Sequence, residues 1–224
     1  MGQSVSFQSN GGNTPGYLAK PSSGTGPGVL VFQEWWGLVD HIRHVCDRFA
    51  EAGYVALAPD LYHGKVATEP NEAGKLMMAL NVDQAAKDVR GAVTYLLGQG
   101  ATGAKVGSVG FCMGGALALY AASVSPDQIG AVVDFYGGHP NVQPDLSRLK
   151  APVLGGFAEK DGFVTPEVAR QLEASLKGAG VTTDFKIYPG VDHAFFNDER
   201  PEVYNAEAAA DAWTRTIAWL KKYV

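Results

Sequence analysis

The feature that most constrains the fold is a series of short, continuous apolar runs separated by helical patterns. GVLVF (Gly28–Phe32), YVALA (Tyr54–Ala58), KVGSVGF (Lys105–Phe111), IGAVVDFYG (Ile129–Gly137), PVLGGFA (Pro152–Ala158) and DFKIYPG (Asp184–Gly190) have strand length and little alternation. GVLVF, continuously apolar, reads as a strand covered on both faces, and YVALA as the next buried strand. Between them, apolar residues recur at helical spacing. After Asp40, read as a helix cap, Ile42, Val45, Cys46, Phe49 and Ala50 share one face, and Gly53 ends the segment. Further helices are predicted over 81–98, 114–123, 164–178 and 205–223. SVSFQS and GYLAK, joined by the turn-rich NGGNTP, read as an antiparallel hairpin. The prediction is an α/β fold with a mostly parallel sheet, an N-terminal antiparallel hairpin and helices on both faces. One domain spanning 1–224 is expected, because PSSGTGPG is too short for a linker. Ligands of such sheets bind beyond the carboxyl ends of the strands.

Composition narrows the function. The chain has 224 residues and a net charge of -5, a poor match to phosphate backbones, so no nucleic-acid partner is expected. No apolar run has the length of a membrane span. The N-terminus lacks a basic start and an apolar stretch, which points to a cytoplasmic setting where thiols stay reduced. The two cysteines, Cys46 and Cys112, are too few for a disulfide framework, and no metal or cofactor motif is present. A small-molecule substrate and a monomer or small homo-oligomer fit this profile.

VGSVGFCMGG (Val106–Gly115) has the form of a nucleophile elbow with cysteine in place of serine. Gly110 and Gly114 leave room for the tight strand-to-helix turn, and Gly115 allows the helix to approach the sheet. The helix N-terminus favours a thiolate at Cys112, and the Met113 amide points to a developing oxyanion. A nucleophile needs a base, and the base an orienter. In this type of fold they follow in the order nucleophile, acid, histidine. Asp161 closes the PVLGGFAEKD strand end and His193 sits in the loop after DFKIYPG. Glu34 lies beyond GVLVF on the same rim, and the Trp35 amide is a candidate second oxyanion donor. Trp36, Tyr62, Tyr136 and Phe195, all near strand ends, are read with Trp35 as pocket walls. Cys46 reads as core, and His63 and His139 as structural. The segment 64–80 is long for a connection and is read as a lid, with Met77 and Met78 facing an apolar pocket.

QEWWGL, APDLY, GFCMGG, the strand ending in Asp161, and DHAFFNDERPEVYNAEAA with Trp213 carry a resemblance to the dienelactone hydrolase family, the carboxymethylenebutenolidases, over nearly the whole chain. The resemblance implies an α/β-hydrolase fold, a Cys112, Asp161, His193 triad and hydrolysis of a small lactone or carboxylic ester through a thioester. It also implies that Glu34 swings toward the thiol when substrate binds, and it requires no metal or cofactor. The chain departs from the family at Asn197. Members acting on an anionic lactone are similar in carrying an arginine there, which binds the substrate carboxylate and pairs with the glutamate. The segment 65–80 holds no arginine for a second clamp. Lys65, Lys160 and Arg200 are the candidate replacements. Two other readings remain: a thiol amidase, and a redox-sensing or binding protein using an exposed low-pKa Cys112.

Overall fold

A computed structural model describes residues 2–9 and 11–224. Eight strands form one sheet: β1 (Gln3–Ser9), β2 (Gly12–Ala19), β3 (Gly26–Phe32), β4 (Val55–Pro59), β5 (Ala101–Phe111), β6 (Ile129–Phe135), β7 (Val153–Ala158) and β8 (Thr183–Tyr188). Their spatial order is β1-β2-β4-β3-β5-β6-β7-β8. The hairpin β1–β2 is antiparallel and joins antiparallel to β4, while β4 through β8 are parallel. The NGGNTP segment is mostly strand, because β2 already begins at Gly12. Its Asn10 lies outside the described residues.

Among the described residues six α-helices cover the sheet: α1 (Asp40–Glu51), α2 (Pro70–Met78), α3 (Val82–Gly98), α4 (Met113–Val124), α5 (Pro166–Gly178) and α6 (Ala206–Tyr223). Two cores result. One face packs Ile42, Val45, Cys46 and Phe49 of α1 with Ala212, Trp219 and Leu220 of α6 over Val29, Val31 and Val133. The other packs Val89, Val93 and Leu96 of α3 with Leu117 and Ala121 of α4 over Leu30, Phe32 and Val132. Successive residues of one strand thus enter opposite cores, which is why these strands are apolar without alternating. Among the described residues no helix is long and apolar enough to cross a membrane.

One local expectation fails and another is refined. Asp40 does not cap α1. Val39 is the cap residue, with no side-chain hydrogen bond, and Asp40 sits in the first turn paired with Arg43 at 2.7 Å. The segment 64–80, expected as a long connection, contains a helix. Pro70 starts α2, whose Ala73 is fully buried, and His139 Nε2 lies 3.1 Å from the Met77 carbonyl. That contact ties α2 to the loop after β6.

The chain passes from β3 outward to β4 and then returns across β3 to β5. Strand order therefore reverses between β3 and β5, and a crevice opens at their carboxyl ends. Glu34 leaves β3 and Cys112 leaves β5 at that point.

Candidate active site

Cys112 links β5 directly to α4 with φ 54° and ψ −122°, a conformation that costs roughly 1–3 kcal/mol for a residue with a side chain. The surroundings hold it there. Its amide donates to the Phe135 carbonyl at 3.0 Å, and its carbonyl accepts from Gly115 at 2.9 Å and Gly138 at 3.3 Å. The turn admits no side chains beside it. A Cβ on Gly110 would collide with the Gly114 backbone, and one on Gly114 would come within 2.6 Å of the Gln33 carbonyl. The thiol itself is half-buried.

His193, in the loop after β8, stands between an acid and this thiol. Its Nδ1 lies 2.6 Å from Asp161 Oδ2, and Asp161 is buried. The other carboxylate oxygen accepts from the Phe163 and Val164 amides at 2.7 and 2.9 Å, so the acid cannot rotate. Burial works to lower the imidazole pKa. Hydrogen bonds to Asp161 and to Cys112, with the charges of both, outweigh it and raise the value to about 10. An imidazolium is the state this arrangement favours.

Glu34 is almost fully buried, and Asn197, also buried, donates to its Oε2 at 2.9 Å. Asn197 Oδ1 accepts in turn from the Glu199 amide. Glu34 Oε1 has no hydrogen-bond partner. Tyr136 lies close to Glu34 and Cys112: burial, then coulombic interaction with Glu34 and Cys112, holds its phenol well above the usual range. Its ring packs 4.9 Å from that of His193. The Trp35 amide donates to no group among the described residues. Trp35 and Trp36, both half-buried, meet edge to face.

The other expected residues divide. Tyr62 is buried and its hydroxyl reaches Met113 Sδ at 3.2 Å. It also lines a cleft of about 230 Å³ with His63, Lys65, Leu76, Leu80 and Gln84. Met77 and Met78 are not part of that lining: Met77 packs on the second core and Met78 is exposed. Phe195 is wholly buried between Tyr136 and Tyr188, a core position rather than a pocket wall. Cys46 is core as expected, its thiol pushed up by burial and by Asp47. His63 pairs with Asp88, and His139 accepts from the amides of Asn141 and Val142. Arg200 is engaged with Glu202. Phe163, unmarked in the sequence as a site residue, is 79% exposed with its ring 5.5 Å from His193. Its only sequence signal is its place two residues after Asp161. Among the described residues no three His, Cys, Asp or Glu side chains are grouped to hold a metal ion.

A mostly parallel eight-stranded sheet with a strained strand-to-helix elbow at its switch point is the α/β-hydrolase architecture. Within that class, the chain belongs to the dienelactone hydrolase family, whose model matches residues 14–224. It is similar to protein usf of Aquifex pyrophilus, 42% identical over 231 residues that span 100% of both chains. An Aquifex aeolicus protein with the provisional name carboxymethylenebutenolidase is 38% identical, again over 100% of both. Among solved structures, a Klebsiella pneumoniae protein provisionally named a dienelactone hydrolase superposes with a TM-score of 0.90 at 31% identity, covering 100% of this chain and 99% of that one. The chain is an ester or lactone hydrolase of this family.

Proposed function

We propose that this single-domain enzyme hydrolyses small lactones or carboxylic esters through a thioester on Cys112. The observation that carries the reading is the His193 imidazole held between Asp161 and the thiol. The Cys112 thiolate attacks the carbonyl carbon and the carbon–sulfur bond forms. The carbonyl electron pair moves onto oxygen, where the Met113 and Trp35 amides receive it. Collapse expels the alkoxide, which takes its proton from His193. Once Cys112 is acylated its charge is gone, and with it two of the influences that keep His193 protonated. The imidazole, now neutral, takes a proton from water as the water attacks the thioester. The acid leaves and the thiolate returns. Asp161 keeps Nδ1 protonated throughout, so that Nε2 does the proton transfer.

Glu34 assists thiolate formation. It shares a small, buried region with Cys112, since both charges bear on Tyr136. The Asn197 amide holds it at rest, and its free Oε1 leaves it ready to change partner. With a neutral Asn197 beside an acidic group, the pocket favours neutral substrates over carboxylate-bearing ones. A redox-sensing role has no support from a resolving cysteine, because Cys46 is buried in the core of α1 and β3.

The test is Cys112→Ala assayed on an aryl ester and a lactone. A loss of about a thousandfold or more in kcat is expected, with a covalent acyl adduct seen by mass spectrometry in the native protein only. Ester cleavage within tenfold of native would sink the proposal.

A further inference from the structure

Beneath the elbow lies a carboxyl group that the chemistry above does not use. Asp134 of β6 is fully buried and pairs in register with Gly110 of β5 and Gly155 of β7. One of its oxygens nests against the Cα atoms of Gly115, in the first turn of α4, and Gly137, in the loop after β6. A Cβ on either glycine would collide with that oxygen, and one on Gly115 would also stand 2.6 Å from Gly137 Cα. This is a socket shaped for a small carboxyl group under the N-terminus of α4. No side chain donates to either oxygen, and the Gly137 amide, the one nearby donor, approaches without good hydrogen-bond geometry. Burial pushes the pKa up to about 7, with the Gly137 amide working the other way.

The groups facing Asp134 do not compensate its charge. From Met113 to Val124, α4 carries no charged side chain, and the neighbouring strands offer Gly110 and Gly155. The loop after β6 brings Tyr136, whose phenol stays uncharged, and His139, whose pKa burial lowers. Cys112 stands at the N-terminus of α4, three residues before the Gly115 that meets the Asp134 oxygen. The positive end of α4 is the field that favours a thiolate at Cys112. A carboxylate beside Gly115 would cancel part of that field, whereas an uncharged carboxyl leaves it to the thiol.

We propose that Asp134 is a positioning residue of the elbow that works in its uncharged form. It fills the socket under the first turn of α4 and leaves the positive end of the helix to Cys112, and its ionisation weakens the nucleophile. The inference rests on Cys112 being the nucleophile of the proposed reaction.

Alkylation of Cys112 by iodoacetamide, a neutral reagent, tests it between about pH 5.5 and 8.5. Native protein is compared with Asp134→Asn, which keeps the shape and cannot ionise, and Cys112→Ala supplies the blank for Cys46. The rate of Asp134→Asn over native should be close to one at the acid end. It should rise, by up to about tenfold, through the pH interval in which Asp134 ionises while the thiol is still partly protonated, the effect of one added nearby charge on a thiol. A ratio that is constant across the range overturns the proposal, because filling the socket alone has no pH dependence. Should Asp134→Asn fail to fold, the native rate profile decides. A break near neutrality superimposed on the thiol ionisation supports the role, and a single-ionisation curve overturns it. Alkylation needs no ester turnover, so its outcome is separate from that of the Cys112→Ala hydrolysis assay.

Discussion

Replacing Asp161 by asparagine removes one charge and almost no volume, yet the local geometry makes it a severe change. The Phe163 and Val164 amides both donate to Asp161 Oδ1. In the variant only the amide oxygen can accept from them, so the NH2 group must take the place of Oδ2. It then faces His193 Nδ1, now 2.6 Å from a carboxylate oxygen. Two donors cannot share that contact, so Nδ1 gives up its proton and Nε2 becomes the protonated nitrogen. An Nε2–H cannot accept a proton from the thiol or from water. The lost charged hydrogen bond alone is worth roughly 1.5–3 kcal/mol, about ten- to a hundredfold. The wrong tautomer adds to this, and a total loss of about 10²–10⁴ in kcat/KM is expected. Stopped-flow hydrolysis of an aryl ester should reveal both a slow burst and slow turnover. The variant should also change the pH dependence of stability. The His193 pKa, about 10 in the fold, lies above its unfolded value of about 6.5. Its contribution is therefore fully present below pH 6.5 and lost as pH rises through about 10. Thermal melts should show Asp161→Asn losing more stability at pH 6 than near pH 10.5. Turnover within tenfold of native would refute the argument, since it would mean that neither tautomer nor carboxylate matters.

Glu34→Gln should slow the acylation burst more than the steady-state deacylation, because in the proposed mechanism the side chain acts on the thiol while His193 activates water; an unchanged burst rate removes Glu34 from that mechanism. For Asn197, kcat/KM on a carboxylate-bearing lactone and on its methyl ester is compared in native protein and Asn197→Arg. The native enzyme should favour the neutral form by on the order of ten- to a hundredfold, the worth of one absent charged hydrogen bond, and the arginine should narrow the gap. A native preference for the anion that the arginine leaves untouched would place the anion-binding group elsewhere.

Most of the fold was legible because the inner parallel strands are covered on both sides and so are largely apolar. GVLVF, YVALA and IGAVVDFYG could hardly be anything else, and the helical spacing after Asp40 located α1 to within a residue. The elbow was legible for a related reason: a strained turn at Cys112 needs glycines on either side, and those are visible as letters. Asp161 and His193 could be nominated from their places after successive strand ends.

What the letters could not decide was whatever depends on contacts between distant segments. Whether 64–80 is loose depends on a carbonyl of Met77 meeting His139, 62 residues away in the chain. Whether Phe195 lines a pocket or fills the core depends on Tyr136 and Tyr188 closing around it, and periodicity carries no information on that. Phe163 reads as an ordinary turn residue until the Asp161 carboxylate holds its amide and turns its ring toward His193. Asp134 is the sharpest case. In IGAVVDFYG it looks like a polar interruption of a buried strand, and only the approach of Gly115 and Gly137 from two other elements gives its carboxyl a place. Local pattern specifies which face of an element is buried; the partner it is buried against, and therefore its chemistry, is set when the sheet and its helices close on one another.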